Sequence, residues 1–308
     1  MKIVYMGTPD FSVLPLKKIF DKGEDEILAV ITNPDKPVGR KKILTPSPVK
    51  TAALDMGLKV FSYNKIRDEG VSDLKTLSPD IIVTCAFGQI LSKEILDIPK
   101  YGVINVHASL LPKYRGASPI HYAILNGEKT TGVTIMKTDV GIDTGDILLK
   151  EEVEIGDNET TGELFERLSK VGADLLISAL GLIKSGKATF YPQDENVATY
   201  TKMIKKEDAL IDWNESSDRV KNRIRAFNPS PVAYTFYNGE QIKIFEAEVF
   251  DGKGSAGEII SCEKDLVVAC GEGAVLIKSL QKAGGKKMTA AEFLRGNKLP
   301  VGGRFNNA

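Results

Sequence analysis

Short apolar runs alternate with amphipathic segments through the first half of the chain, and this alternation restricts the folds open to it. Buried strands are rich in β-branched residues, and four runs have that character: residues 3–6, 27–31, 81–85 and 102–106. Three segments between them have helical periodicity: residues 11–20, 49–56 and 66–77. Strands separated by helices predict an α/β domain with a doubly wound, mostly parallel sheet. Ligands of such sheets bind beyond the carboxyl ends of the strands.

The rest of the chain has a different texture. Thr160 and Glu163 have the spacing of a capping box, and a helical apolar pattern follows them as far as a stop signal at Gly186. The polar, proline-interrupted residues 190–207 are typical of a linker. Beyond it, short apolar stretches separated by Gly, Asn and Asp predict a smaller β-rich domain, of barrel form, over residues 208–308. Residues 1–189 then form the first domain.

Composition sets limits on the class of protein. The 308 residues exceed the roughly 100–200 of one domain, and the 41 basic residues balance 41 acidic ones, so a polyanion would have to meet a local patch. Three cysteines without a CxxC pair, no secretory signal and no apolar run near 18 residues predict a cytoplasmic chain without a membrane span. With two histidines and no cysteine cluster, we expect no metal.

The most informative polar pair is Asn105 and His107. They lie two apart where a buried strand gives way to a loop, so they point to the same side of the chain. An amide and an imidazole side by side can both donate hydrogen bonds to one developing oxyanion. The alternative is a structural histidine at a strand end.

A second polar segment, residues 137–146, contains three acids and two glycines after an apolar run. It lacks the spacing of an EF-hand, which argues against calcium. A carboxylate from this loop could orient His107 and take part in proton transfer. A plain turn is the alternative.

Residues 33–50 carry four prolines and the basic run Arg40, Lys41 and Lys42. Since connections after strands usually have about 4–6 residues, this is an overlong, proline-stiffened loop. Such a loop suits contact with a polyanion, and the alternative is a solvated insertion.

Several strings occur together in this chain: Asn105-x-His107-x-Ser109-Leu110-Leu111-Pro112, Tyr114-Arg115-Gly116-Ala117-Ser118-Pro119 and Gly141-Ile142-Asp143-Thr144-Gly145-Asp146. In this combination the chain resembles the formyltetrahydrofolate-dependent formyltransferases. Three further features are similar to the member that acts on aminoacylated tRNA: Met6-Gly7-Thr8-Pro9-Asp10-Phe11, the loop at residues 34–50, and Arg225-Ala226-Phe227-Asn228-Pro229-Ser230-Pro231.

The resemblance implies a Rossmann-like first domain that takes 10-formyltetrahydrofolate as formyl donor, and an OB-like second domain that touches tRNA. The implied reaction is formyl transfer to the α-amine of methionine on initiator tRNA, for translation initiation, by a monomer without metal or membrane partner. The implied residues are catalytic Asn105, His107 and Asp143, folate contacts at Ser109, Leu110, Leu111 and Pro112, and tRNA contacts at Arg40, Lys41 and Lys42 in the loop 33–49.

Three other functions remain open from the sequence. A formyltransferase acting on a small amine, such as a purine ribonucleotide or an amino sugar nucleotide, would share the catalytic residues without needing the basic loop. An RNA-binding module built on an OB fold would leave those residues without a role. A folate-dependent hydrolase would release formate without an acceptor.

Overall fold

The computed structural model describes residues 1–39, 41–297 and 299–306, which divide into two compact units. Unit 1 comprises Met1–Gly116, Thr131–Glu154 and Phe165–Thr201. Unit 2 comprises Ala117–Thr130, Ile155–Leu164 and the described residues from Lys202 onward. The functional domain limits, 1–189 and 208–308 around a linker, stay a prediction.

The strands in chain order are β1 (Lys2–Gly7), β2 (Glu26–Thr32), β3 (Lys36–Val38), β4 (Ile43–Thr45), β5 (Val60–Ser62), β6 (Ile81–Cys85), β7 (Val103–His107), β8 (Arg115–Gly116), β9 (Thr130–Lys137), β10 (Ile147–Glu154), β11 (Tyr200–Thr201), β12 (Tyr234–Tyr237), β13 (Glu240–Phe250), β14 (Ile259–Ser261), β15 (Leu266–Ala269), β16 (Ala274–Lys282) and β17 (Met288–Thr289). The α-helices are α1 (Val13–Lys22), α2 (Pro48–Asp55), α3 (Ile66–Glu69), α4 (Val71–Leu77), α5 (Lys93–Leu96), α6 (Pro119–Leu125), α7 (Thr161–Lys184), α8 (Ser217–Ala226) and α9 (Ala290–Gly296). Short 3₁₀ turns lie at Asp10–Ser12, Glu195–Val197 and Lys206–Ala209.

Unit 1 is built on a seven-stranded sheet in the order β10-β9-β7-β6-β1-β2-β5. The pairs from β5 to β7 are parallel, and β9 runs antiparallel to β7. The central strands β1 and β6 are buried almost throughout, which explains why they are continuous apolar runs without alternation. The predicted mostly parallel α/β sheet is confirmed, and its carboxyl edge includes the end of β7.

Two local predictions need correction. The single helix predicted over residues 66–77 is two helices, α3 and α4, that meet at Gly70. A Cβ at Gly70 would come within 2.9 Å of the Ile66 side chain, so the chain turns there at a glycine that has no room for a larger residue. The predicted basic loop contains the antiparallel hairpin β3–β4 and the start of α2.

Unit 2 contains a six-stranded antiparallel sheet in the order β12-β13-β16-β15-β14, with β17 beside β16. Near its end, the chain bridges to both edges of this sheet, since Asn306 pairs with Phe236 and Arg304 with Glu258. This curled arrangement agrees with the predicted barrel-like domain. Its core includes Trp213, whose Nε1 donates to Thr235 Oγ1 at 2.9 Å.

No helix in the described ranges is long and apolar enough to cross a bilayer.

Candidate active site

Strand β7 delivers Asn105 and His107 to one face of the sheet at its carboxyl end. The alternation of a strand places them together, with buried Val106 turned the other way. Thr84, the neighbour of Asn105 on β6, lies 3.0 Å from the Asn105 amide oxygen and can only donate to it. The amide nitrogen of Asn105 is therefore the end left to face the site.

Asp143 comes from the loop between β9 and β10 and completes the predicted trio. Its Oδ1 lies 3.4 Å from Asn105 Nδ2, and its Oδ2 lies 3.5 Å from His107 Nδ1. The backbone N–H of Gly116 donates to Asp143 Oδ2 at 2.8 Å. The structure thus brings together the amide, the imidazole and the carboxylate that the sequence singled out.

The imidazole of His107 is buried, and both of its nitrogens face protein oxygens. Nε2 lies 2.9 Å from the carbonyl oxygen of Tyr114, which can only accept, so this nitrogen carries a hydrogen. Donation from Nδ1 then requires a ring with both nitrogens protonated. The N–H groups of Asn105 and such a ring would converge on the space beside the Asp143 carboxylate.

The predicted folate segment, Ser109 to Pro112, is a tightly held loop after β7. Ser109 is buried and its hydroxyl donates to the Lys113 carbonyl at 2.7 Å. Leu111 is buried in a small cluster with Met136 and Ile147, and the Leu111–Pro112 peptide is cis. Leu110 and Pro112 are half-buried. Two of the four side chains therefore shape the loop, and the other two are partly accessible to a ligand.

Two of the three predicted tRNA-contacting residues, Lys41 and Lys42, lie on the hairpin β3–β4. Lys41 and Lys42 are exposed in its turn, and Arg40 lies outside the described residues. No hydrogen bond or ion pair among the described residues links either lysine to the trio. The hairpin also exposes apolar side chains, from Val38, Ile43 and Leu44.

A buried guanidinium, Arg115, is the main feature that the sequence reasoning did not identify as functional. It is 0% exposed and forms a bidentate ion pair with Glu195, at 2.6 and 2.8 Å, while Tyr200 lies 2.8 Å away. Hydrogen bonds with Glu195 raise the pKa of Arg115 against the effect of burial, and the same pair lowers the pKa of Glu195. A full charge is thus stabilised inside unit 1.

The partners of Arg115 come from residues 190–201, a stretch with the composition of a linker. Within unit 1, β11 of this stretch pairs in parallel with β8, and Tyr191 bridges to Ile147 at the start of β10. The available signal was Arg115 itself, an arginine inside one of the strings that carry the family resemblance. Its partners lie about 80 residues away, so no local pattern could have located them.

The described residues contain no group of three or more His, Cys, Asp or Glu side chains placed to hold a metal ion.

An open, mostly parallel α/β sheet with polar side chains converging beyond the carboxyl end of one strand is the arrangement of an α/β enzyme. Two family models match the chain: "Formyl transferase" over residues 1–180 and "Formyl transferase, C-terminal domain" over residues 203–298. The chain belongs to the formyl transferase family.

Individual relatives match it over nearly its whole length. The methionyl-tRNA formyltransferase of Citrifermentans bemidjiense is 47% identical over 305 residues, which are 98% of this chain and 96% of that protein. The methionyl-tRNA formyltransferase of Clostridium tetani is 49% identical over 308 residues, 98% of each. Among solved structures, the N-formyltransferase of Helicobacter canadensis matches with a TM-score of 0.70 at 22% identity, covering 94% of this chain and 100% of that one, and shows the same fold.

Proposed function

We propose that this chain transfers the formyl group of 10-formyltetrahydrofolate to the α-amine of methionine esterified to initiator tRNA, for translation initiation. The observation that carries the proposal is the convergence of Asn105 Nδ2 and His107 Nδ1 on the Asp143 carboxylate. The acceptor is inferred from relatives named for that activity, which are 47% and 49% identical to this chain over nearly its whole length.

The reaction needs a site that stabilises one negatively charged oxygen. The neutral amine attacks the formyl carbon, the carbonyl electron pair moves to oxygen, and the tetrahedral intermediate collapses when the bond to N10 of the folate breaks. The amine loses a proton and N10 gains one, so the products are the formylated aminoacyl-tRNA and tetrahydrofolate. Donors placed in advance around the charged oxygen lower the barrier because they need no reorganisation.

Asn105 and His107 supply these donors in the proposed mechanism. The two contacts to Asp143 are long, 3.4 and 3.5 Å, and a substrate oxygen entering beside the carboxylate can compete for the same N–H groups. Asp143 balances the charge of the doubly protonated ring, keeps it in place, and receives the amine proton, through water. The Tyr114 carbonyl fixes the ring from its other side.

The loop after β7 fits the formyl donor mainly through its shape. Because Ser109 and Leu111 are turned inward, we assign the folate contacts to the loop backbone and to Leu110 and Pro112. This narrows the four-residue prediction to two side chains.

The acceptor tRNA is assigned to the hairpin. The described part of its turn carries Lys41 and Lys42, and Arg40 precedes them in the sequence. Their charges suit a phosphate backbone, and because the whole chain has balanced charge, RNA must be attracted by a local patch of this kind. We place the reaction in the cytoplasm, where the chain acts as a monomer.

A transfer assay tests this function. The protein is incubated with 10-formyltetrahydrofolate labelled in the formyl group and, in separate reactions, with charged initiator tRNA, charged elongator methionine tRNA, a purine ribonucleotide amine, an amino sugar nucleotide or no acceptor. We expect label on the methionine of initiator tRNA. Label on a small amine alone, or labelled formate released without acceptor, would replace the proposal by one of the other functions that the sequence leaves open.

A further inference from the structure

The loop that carries Asp143 is not held by apolar burial. Its two large apolar side chains, Val140 and Ile142, are 76% and 64% exposed. Asp143 itself has φ +52°, a left-handed conformation that is unfavourable for a residue other than glycine. Hydrogen bonds within the loop, from the Gly141 N–H and the Thr144 hydroxyl to Asp139 Oδ1, and polar contacts to the rest of unit 1 therefore hold its backbone.

Gln193 makes two of the contacts between this backbone and the rest of unit 1. Its Nε2 donates to the carbonyl oxygen of Asp143 at 2.8 Å and to that of Gly145 at 2.7 Å, so both amide hydrogens are used. Its Oε1 accepts from Arg115 Nε at 3.0 Å. Every polar atom of this side chain is thus engaged.

Arg115 decides which way the Gln193 amide points. A guanidinium N–H can only donate, so the amide oxygen must face Arg115 and the amide nitrogen must face the loop. Arg115 is in turn immobilised by Glu195 and Tyr200. The neighbouring Gly116, whose N–H binds the Asp143 carboxylate, leaves no room for a side chain, because a Cβ there would lie 2.6 Å from the Thr201 carbonyl oxygen.

We propose that Gln193 is a positioning residue for formyl transfer, which acts through Asp143 by gripping the carbonyl oxygens on either side of residue 144. Residues 191–201 then form a strap that holds the backbone of the Asp143 loop through Gln193. Gly116, which pairs with Thr201 of the strap, holds the Asp143 carboxylate. The inference rests on the proposed function. It assigns a role to residues outside both family matches, which end at 180 and begin again at 203.

The test is a double-mutant cycle between Gln193 and Asp143. We expect Gln193→Ala to lower kcat about 10- to 100-fold, since small misplacements of a catalytic group cost rate on that scale. KM for the folate and for methionyl-tRNA should stay within about twofold, because no group that touches substrate is removed. In an Asp143→Asn background, Gln193→Ala should cause no further loss of kcat.

Gln193→Glu isolates the amide donors. It retains an oxygen for Arg115 but places a carboxylate opposite two carbonyl oxygens, so we expect at least the same loss of kcat. If Gln193→Ala proves unstable, the kcat of Gln193→Glu tests the positioning role of Gln193 instead. Asn196 is an exposed residue of the same strap, and among the described residues its side chain bonds to Asp194 alone. Asn196→Ala is therefore the matched control and should keep wild-type kcat.

The outcomes separate this inference from the proposed function. Absence of transfer by the wild-type protein would overturn the proposed function, and full activity of Asp143→Asn would overturn the catalytic role of Asp143 and the inference with it. An active wild type and an impaired Asp143→Asn, combined with unchanged kcat in the Gln193 variants, would overturn the inference alone. The inference would also be overturned if Gln193→Ala raised KM, or if it lowered kcat by the same factor in the wild-type and in the Asp143→Asn background.

Discussion

The orientation of Asn105 and His107, on which their proposed roles depend, is set by the groups around them on β7. Thr84 binds the amide oxygen of Asn105, and the Tyr114 carbonyl binds Nε2 of His107, so each side chain has one end held and the other directed toward Asp143. Preorganisation of this kind matters because donors that must first be oriented lose part of their value in the transition state.

Removing either donor should therefore slow the chemical step. We expect Asn105→Ala or His107→Ala to lower kcat about 10²–10³-fold, equivalent to about 2.7–4 kcal/mol, which is the usual cost of one oxyanion donor. Binding of the folate, measured by titration without acceptor, should persist because the loop from Ser109 to Pro112 keeps its contacts. Turnover at the wild-type rate in either variant would remove that residue from the mechanism.

The trio could be predicted from sequence, whereas its supports could not. Spacing of two on a strand indicates a shared face for Asn105 and His107. A polar loop after an apolar run indicates a carboxylate nearby, and the family resemblance identifies it as Asp143. Arg115 and Gln193 carry no comparable local signal, because their effect depends on a contact between residues 78 positions apart.

At the scale of the element, α7 follows its prediction closely. Thr160 and Glu163 form the expected reciprocal bonds, Glu163 Oε2 accepting from the Thr160 N–H at 2.8 Å and Thr160 Oγ1 from the Glu163 N–H at 3.3 Å. The hydrogen bonds that the Thr160 N–H and hydroxyl donate to the Glu163 carboxylate lower its pKa despite some burial. Two of the three glycines within the helix, Gly172 and Gly181, differ in surroundings that only the structure shows.

The two glycines should respond oppositely to alanine. Gly181 is exposed and a Cβ there meets nothing within 4 Å, so Gly181→Ala should stabilise the protein by about 0.5–1 kcal/mol through helix propensity. At Gly172 a Cβ would lie 3.0 Å from Val106, and overpacking of about 1–3 kcal/mol should outweigh the same gain. Urea unfolding midpoints measure both. Equal stabilisation at the two positions would contradict the close packing of Gly172 against β7.

The hairpin β3–β4 is the element on which tRNA binding is proposed. We expect Arg40→Ala to raise KM for methionyl-tRNA without changing the folate dependence. The slope of log affinity for tRNA against log salt concentration should decrease in magnitude by about one for each phosphate that is no longer neutralised. In a double variant with Lys41→Ala and Lys42→Ala it should decrease by about two. The control is Lys93→Ala, which removes an exposed lysine of α5 that pairs with Asp97. An unchanged KM and salt slope would make the hairpin ordinary surface.

At the scale of the whole molecule, each unit has a buried cysteine thiol in its core. In unit 1, burial raises the pKa of Cys85 to about 12, although hydrogen bonds from Ser12 and Tyr5 act to lower it. In unit 2, burial raises the pKa of Cys270 to about 12. Cys262 is half-buried. A thiol must ionise to react, and at pH 8 a pKa near 12 leaves about one thiolate in ten thousand.

A thiol reagent at pH 8 should therefore modify one residue quickly, Cys262, in the folded protein and all three in denaturant. Peptide mapping along a urea titration should then show at which concentration Cys85 and Cys270 become reactive, and so report the unfolding of each unit. Rapid reaction of Cys85 or Cys270 without denaturant would contradict the burial of that thiol.

Local chemistry alone was sufficient for the strands at residues 3–6, 27–31, 81–85 and 102–106, the shared face of Asn105 and His107 on β7, the capping of α7 and the β-rich C-terminal domain. The reason is that side-chain periodicity and turn residues act over a few positions. Tertiary contacts decided the antiparallel strand β9 beside β7, the break at Gly70, and the attachment of residues 191–201 to unit 1. They also brought Arg115, Gln193 and the Asp143 loop together. The physical reason is that a buried charge and its hydrogen bonds are satisfied by whichever groups the folded chain brings near, at any separation in sequence.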